Sequence, residues 1–278
     1  GHDSPARVHG IDVVMEAPDR FTSAVRRAFE SEAGAFGAAL FRARFHFAER
    51  MRPADLVQTL DRIRLRGTDG VVLKAPDVPE VAAAIARLEG AGIPVVTLVT
   101  DLPGSQRTAY AGADNRAAGE TAAYLIGERL KGETLRILVT LSSNRFHGEE
   151  EREAGFRRLI GERYPELGIV EISEGFGRDA ATGALVDAAL AQHPDIAGVY
   201  SIGGGNRAVL SAFAATGRAC RVYVAHDLDA ENLDLLREGQ LSFVLHHDLR
   251  TDVRQVFRAM LARKRPRAAS GPTRLSAV

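Results

Sequence analysis

The chain has 278 residues, 45% of them apolar and 26% charged, and its 36 Lys and Arg balance 36 Asp and Glu. That length and composition suit about two globular domains, and the balance excludes the basic excess of a surface built to neutralise many phosphates. One cysteine, Cys220, excludes an internal disulfide framework and a thiolate metal cluster.

The start, GHDSPARVHG, has no signal-peptide apolar core. It opens on Gly rather than Met, which reads as a processed form or the loss of an upstream segment. Residues 8–15 (VHGIDVVM) then read as a strand, and 22–33 as a helix with Ala24, Val25, Ala28 and Phe29 on one face. Residues 38–45 alternate as a strand, 53–66 form a helix, and 70–74 (GVVLK) a short buried strand. A helix over 78–91 takes Pro79 in its first turn, where the missing N–H costs nothing. Residues 93–98 (IPVVTL) are the fourth strand; such continuous apolar runs suit parallel strands covered on both faces.

Residues 100–110 (TDLPGSQRTAY) read as a connection between two lobes. The pattern then restarts, with helices over 115–130, 149–162, 180–192, 206–216, 230–238 and 249–262. Strands alternate with them over 135–141, 168–173, 196–202, 221–225 and 241–245. The basic tail from Arg263 reads as a strand or loop returning over a lobe. No apolar run approaches the roughly 18 residues of a membrane span. In open α/β sheets, ligands bind beyond the carboxyl ends of the strands, so two such batches predict a two-lobed binder of a small molecule.

Several groups collect at those ends. Gly203-Gly204-Gly205-Asn206-Arg207-Ala208 matches G-x-G-x-x-A, with Asp227 some way beyond. A dinucleotide fingerprint, however, normally opens a domain, and tight turning of the backbone is the simpler reading. Arg152, one turn into a helix, can fork two hydrogen bonds to a polar ligand or pair with the glutamates around it. Asp101 follows the fourth strand, Asp114 suits a helix cap, and Asp227 ends a strand. His246 and His247 adjoin, so only one can face a given side of a strand, which disfavours a metal site. Phe21 and Phe176 can stack on a ligand or close helix ends. There is no G-x-S-x-G, no G-x-x-x-x-G-K-[ST] and no H-E-x-x-H, and no catalytic set or cofactor is expected.

Read in order, IPVVTL at 93–98, ADNRAAG at 113–119, REAGF at 152–156, HPDIAGV at 193–199 and His226-Asp227 resemble the type I periplasmic-binding-protein fold. The sugar-binding proteins of ABC transporters and the effector cores of LacI/GalR transcriptional regulators share it. The resemblance covers residues 8–266. It implies an α/β protein of two Rossmann-like lobes with parallel sheets, joined by three crossover strands, with the ligand in the cleft between them. The lobes would be 8–112 plus 248–266 and 113–247 plus 267–278. Carried over, the aromatic pair after the first strand becomes Arg20-Phe21, and the arginine of R-x-x-G-F is Arg152. The phenylalanine after the sixth strand is Phe176, and the asparagine near Gly205 is Asn206. The late G-F-D aspartate is Asp227, here after Ala-His, and the glutamine of the last crossover is His247. The Asp-Arg of the fourth strand is replaced by Val99-Thr100, with Asp101 beyond.

The resemblance leaves two uses of the fold. Arg-rich surfaces, the ending GPTRLSAV and the wording of 222–250 favour the effector core of a regulator. That reading implies a cytoplasmic homodimer that binds a sugar or polyol and meets operator DNA only through a helix-turn-helix head ahead of residue 1. The alternative is the sugar-binding receptor of an ABC transporter, and a dinucleotide-dependent enzyme is the third reading.

Overall fold

The computed structural model describes residues 7–34, 36, 39–143, 146–263 and the backbone of 273–276. The chain divides into two compact α/β units, one made of 1–113 with 247–278 and the other of 114–246. All named strands within each sheet pair in parallel.

The first unit holds β1 (Arg7–Glu16), α1 (Asp19–Glu32), β2 (Ala39–Ala48), α2 (Pro53–Arg66), β3 (Gly70–Lys74), α3 (Pro79–Gly90), β4 (Val95–Leu98) and β5 (Ala109–Gly112). Its sheet runs β2, β1, β3, β4, β5 and then a strand from the far end of the chain. Six consecutive residues of β1 from Ile11 to Glu16 are buried, because helices cover both faces. Ile11, Val13 and Met15 pack with Val25 and Phe29 of α1 and Phe257 of the last helix. Val14 faces the other way, onto Leu56, Leu60 and Ile63 of α2 and Val81 and Ile85 of α3.

The second unit holds α4 (Asn115–Leu130), β6 (Arg136–Thr140), α5 (His147–Arg163), β7 (Gly168–Ile172), α6 (Asp179–Gln192), β8 (Ile196–Ser201), α7 (Asn206–Thr216), β9 (Val222–His226), α8 (Ala230–Arg237) and β10 (Phe243–Leu245). Its sheet order is β10-β9-β8-β6-β7. Ile137 and Val139 of β6 pack with α4 and α5, while Leu138 between them packs with α6 and α7. The chain returns to the first unit for α9 (Leu249–Arg263) and β11 (Thr273–Ser276).

Three expectations change. Residues 100–110 do not connect lobes: they loop within the first unit into β5, which pairs with β4 through Leu98 and Ala111. This strand, Ala-Tyr-Ala-Gly, carries too little apolar bulk to register as one. The tail does not join the second unit, since Thr273–Ser276 pairs with Ala109–Gly112 in the first. Strand β2 runs three residues further than its alternation suggested. The expected third crossing falls in residues 264–272, outside those described.

Candidate functional site

Backbone strain marks the strand ends. Among the described residues, the four non-glycine residues with left-handed φ are Val99 (70°), Glu174 (67°), Phe176 (53°) and Asp227 (69°). Val99 follows β4, Glu174 and Phe176 lie between β7 and α6, and Asp227 follows β9. A β-branched residue there is an outlier, and such strain gathers where a fold holds functional groups in place.

In the second unit, α4 and α5 meet backbone to backbone. A Cβ on Gly119 would stand 1.9 Å from the Arg152 carbonyl oxygen, and one on Gly155 would stand 2.2 Å from that of Arg116. Only glycines allow this approach. It sets Asn115, at the start of α4, beside Arg152, whose Nε donates to Asn115 Oδ1 at 2.8 Å. Arg152 is 7% exposed. No ion pair with a glutamate of its own helix forms, and Asn115 is its one side-chain partner among the described residues. A buried guanidinium left this way is costly unless something else meets it. Asn115 escaped the sequence reading because Asp114 before it caps α4, accepting from the Ala117 amide at 3.1 Å, so the pair read as a helix start.

The glycine run follows β8 and serves packing. A Cβ on Gly203 would stand 2.0 Å from the Ser142 amide nitrogen, so the exits of β6 and β8 touch directly. Gly204 and Gly205 take φ of 88° and 74°. The Ser142 carbonyl in turn accepts from the Phe176 amide at 2.8 Å, which draws the half-buried Phe176 to the same end, with Arg178 over its ring at 5.8 Å. The Glu149 carboxylate accepts from the Ser142 amide at 2.8 Å and from its hydroxyl.

Asn206 is 1% exposed. Its Oδ1 accepts from the Tyr223 hydroxyl at 2.8 Å and its Nδ2 donates to Asn232 Oδ1 at 2.7 Å, so both ends of the amide are engaged inside the unit. Asp227 is half-buried and its amide donates to Leu245 O at 2.9 Å. Its carboxylate has no hydrogen-bond partner among the described residues. Beside it, His226 Nε2 lies 2.7 Å from the Tyr200 hydroxyl. Burial pushes that phenol well above its usual range, so it stays a neutral hydrogen-bonding group.

The candidates of the first unit are more occupied. The Asp101 carboxylate receives Arg107 Nε at 2.5 Å and Nη2 at 2.7 Å, the Thr97 hydroxyl at 2.9 Å and the Leu102 amide at 2.8 Å. Burial alone would raise this carboxyl, but Arg107 brings it below its ordinary value. His247 Nδ1 pairs with the buried Asp252 at 2.5 Å. Phe21 packs on the core cluster, and Arg20 sits partly buried in the first turn of α1. The sequence reading missed the end of β1 itself. Glu16 is 3% exposed, and Lys74, at the end of neighbouring β3, donates to its carbonyl at 2.7 Å. Lys74 ends a strand that read as purely structural, and Glu16 fell just past the strand read over 8–15. Among the described residues, no group of three or more His, Cys, Asp or Glu could hold a metal ion, and no helix is long and apolar enough to cross a membrane.

Residues 11–264 match the family model of the periplasmic binding protein domain. The chain belongs to that family. Solved structures share the fold over nearly its whole length. A glucose-galactose binding protein from Geobacillus stearothermophilus is 20% identical, with 96% of each chain covered and a TM-score of 0.81. A periplasmic solute binding protein of an ABC transporter from Actinobacillus succinogenes 130z, with bound D-allose, is 16% identical over 97% of this chain and 96% of that one, with a TM-score of 0.83. An ABC transporter solute binding protein from Burkholderia graminis C4D1M in complex with D-arabinose is 21% identical over 98% and 94%, with a TM-score of 0.81. No curated protein matches the sequence. These matches overturn the expectation of a LacI/GalR effector core: they are sugar-binding proteins, two of them of ABC transporters, and none is a regulator. The homodimer and operator-DNA expectations rested on that reading and gain no support from these matches.

Proposed function

We propose that this chain is the sugar- or polyol-binding receptor of an ABC-type uptake system and that it works outside the cytoplasmic membrane, delivering its ligand to a permease without transforming it. The observation that carries this reading is Arg152. Among the described residues it is the sole buried Lys, Arg, Asp or Glu of the second unit, and its guanidinium meets only the neutral Asn115. A guanidinium forks well onto vicinal hydroxyls or a ring oxygen, and a charge-assisted bond to a buried polar group is worth about 1.5–3 kcal/mol. Beside it stands an amide (Asn115), and the strand ends of the same unit carry a carboxylate with no hydrogen-bond partner among the described residues (Asp227) and an aromatic ring (Phe176); such groups suit a polyhydroxylated ring with one apolar face. The family and the sugars named for the similar structures support the same ligand class.

Titration calorimetry with D-galactose, D-allose, D-arabinose, D-fructose and a set of polyols tests this. Saturable one-to-one binding of one of them, weakened at least tenfold by Arg152→Ala, is expected. Absence of binding to every compound at millimolar concentration would overturn the proposal.

A further inference from the structure

Asp227 stands at φ 69°, in the left-handed region that few residues other than glycine adopt, and a buried chain of hydrogen bonds ends on that turn. The Asn232 side-chain nitrogen donates to two carbonyls at once, His226 O at 2.9 Å and Asp227 O at 2.7 Å. Carbonyls only accept, so Asn232 must present its NH2 group to them, which points its oxygen the other way. That oxygen accepts from Asn206 Nδ2 at 2.7 Å, and the Asn206 oxygen accepts from the Tyr223 hydroxyl at 2.8 Å. Each amide therefore has one workable orientation, fixed by the carbonyls at the far end. Tyr223, Asn206 and Asn232 are 1%, 1% and 3% exposed, so water does not compete for these bonds, and a reversed Asn232 amide would set its oxygen against both carbonyls and its NH2 against that of Asn206. The Asn232 backbone amide also donates to Asp229 Oδ1 at 2.8 Å, which fixes the start of α8 beside the same turn.

We propose that Asn232 and Asn206 are positioning residues: the Tyr223–Asn206–Asn232 chain holds the carbonyls of residues 226 and 227 and so keeps Asp227 at φ 69°, ready for ligand. The role in binding rests on the proposed function, whereas the hold on the turn does not. Neither asparagine touches the ligand in this reading. They act through the backbone of Asp227, and affinity depends on them only while Asp227 takes part.

The isosteric variants Asn232→Asp and Asn206→Asp test it, because each replaces one NH2 with an oxygen and changes no shape. Hydrogen exchange of the ligand-free protein comes first. In Asn232→Asp the Asp227 amide, bonded to Leu245 O, should exchange at least tenfold faster, while the amides of β6 and β8 keep their rates. Unchanged exchange at residue 227 would overturn the proposal whether or not any sugar binds. Binding comes second, with whichever sugar of the panel above the wild type takes up. Asn232→Asp should weaken it at least tenfold in the wild type but less than threefold in an Asp227→Asn background, since neighbours acting through one group are not additive. An equal loss in both backgrounds would mean that Asn232 acts elsewhere. If Asn232→Asp does not fold, Tyr223→Phe, which removes only the hydroxyl at the start of the chain, should show the same pattern at smaller size. If the wild type takes up no sugar while exchange at 227 rises as expected, the hold on the turn stands and the sugar-receptor reading falls.

Discussion

Among the described residues, the first unit buries five carboxylates, Asp12, Glu16, Glu32, Glu89 and Asp252, whereas the second buries none. In the first, opposite charges reach the buried acids. Arg44, Arg66 and His46 converge on Asp12 at 2.8, 2.5 and 2.8 Å. Arg250 and Arg254 each reach Glu32 at 2.6 Å. Glu89 joins the Val95 amide, the Thr108 hydroxyl and Arg263 of α9, tying together segments far apart in the chain. The second unit keeps its carboxylates at or near the surface, as in the Arg158 pairs with Glu120 and Glu162, and fills its interior with neutral amides and phenols. Ion pairs fix a fold but consume the charges that make them. A unit wired by neutral groups can hold one charge in reserve, and Arg152 is that charge.

Breaking the first unit's wiring should have the largest effect. Asp12→Ala strips two arginines and a histidine of their shared carboxylate; because those partners are partly exposed and can turn to water, the loss is set by the charge-assisted bonds themselves, about 3 kcal/mol. Urea unfolding followed by hydrogen exchange in β1 would show that loss there and not in β6. Acid should act on the same residue. Burial alone would raise the Asp12 carboxyl, but hydrogen bonds from Arg44, His46, Thr68 and Arg66 hold it well below its ordinary value of 3.8. A lowered carboxyl contributes stability fully above its unfolded-state value and loses it as the pH falls towards the folded-state one. The stability gap between wild type and Asp12→Asn should therefore be full at neutral pH and shrink below about pH 4; a gap that widens on acidification would contradict this wiring.

Arg152→Met should cost about 1.5–3 kcal/mol of ligand affinity and yet leave the ligand-free protein as stable as before or more so, since an uncompensated buried charge gives way to an apolar chain of similar length. Calorimetry and thermal unfolding of one sample read both. A loss of stability equal to the loss of affinity would make Arg152 structural. The smallest effect belongs to Glu162→Gln. It removes one of two partners from the exposed Arg158 pair and should move the unfolding midpoint by less than about 0.5 kcal/mol.

Much of the alternation of strand and helix was legible because buried parallel strands such as GVVLK and IPVVTL carry their burial in their composition. Strand β5 was not, because Ala109–Gly112 owes its place to pairing with β4 and β11 rather than to apolar bulk. Arg152, Phe176 and Asp227 could be singled out as candidates from their places after strands. Asn115 and Asn232 were not: each follows a capping aspartate at a helix start, where an asparagine is unremarked. Asn206 was legible as a residue of interest but not in its surroundings, because its partners Tyr223 and Asn232 lie 17 and 26 residues away. Periodicity tells which side chains go inside, not which amide meets which carbonyl.

The glycine contact between α4 and α5 bears on how such a protein can diversify. With Gly119 against the Arg152 carbonyl and Gly155 against that of Arg116, neither helix has room for even a methyl group, so the scaffold beneath Arg152 has no small adjustments to offer. A lineage descending from this chain would explore new ligands, under the proposed function, by exchanging the side chains around the guanidinium, while the arginine itself stayed where the two helices lock it.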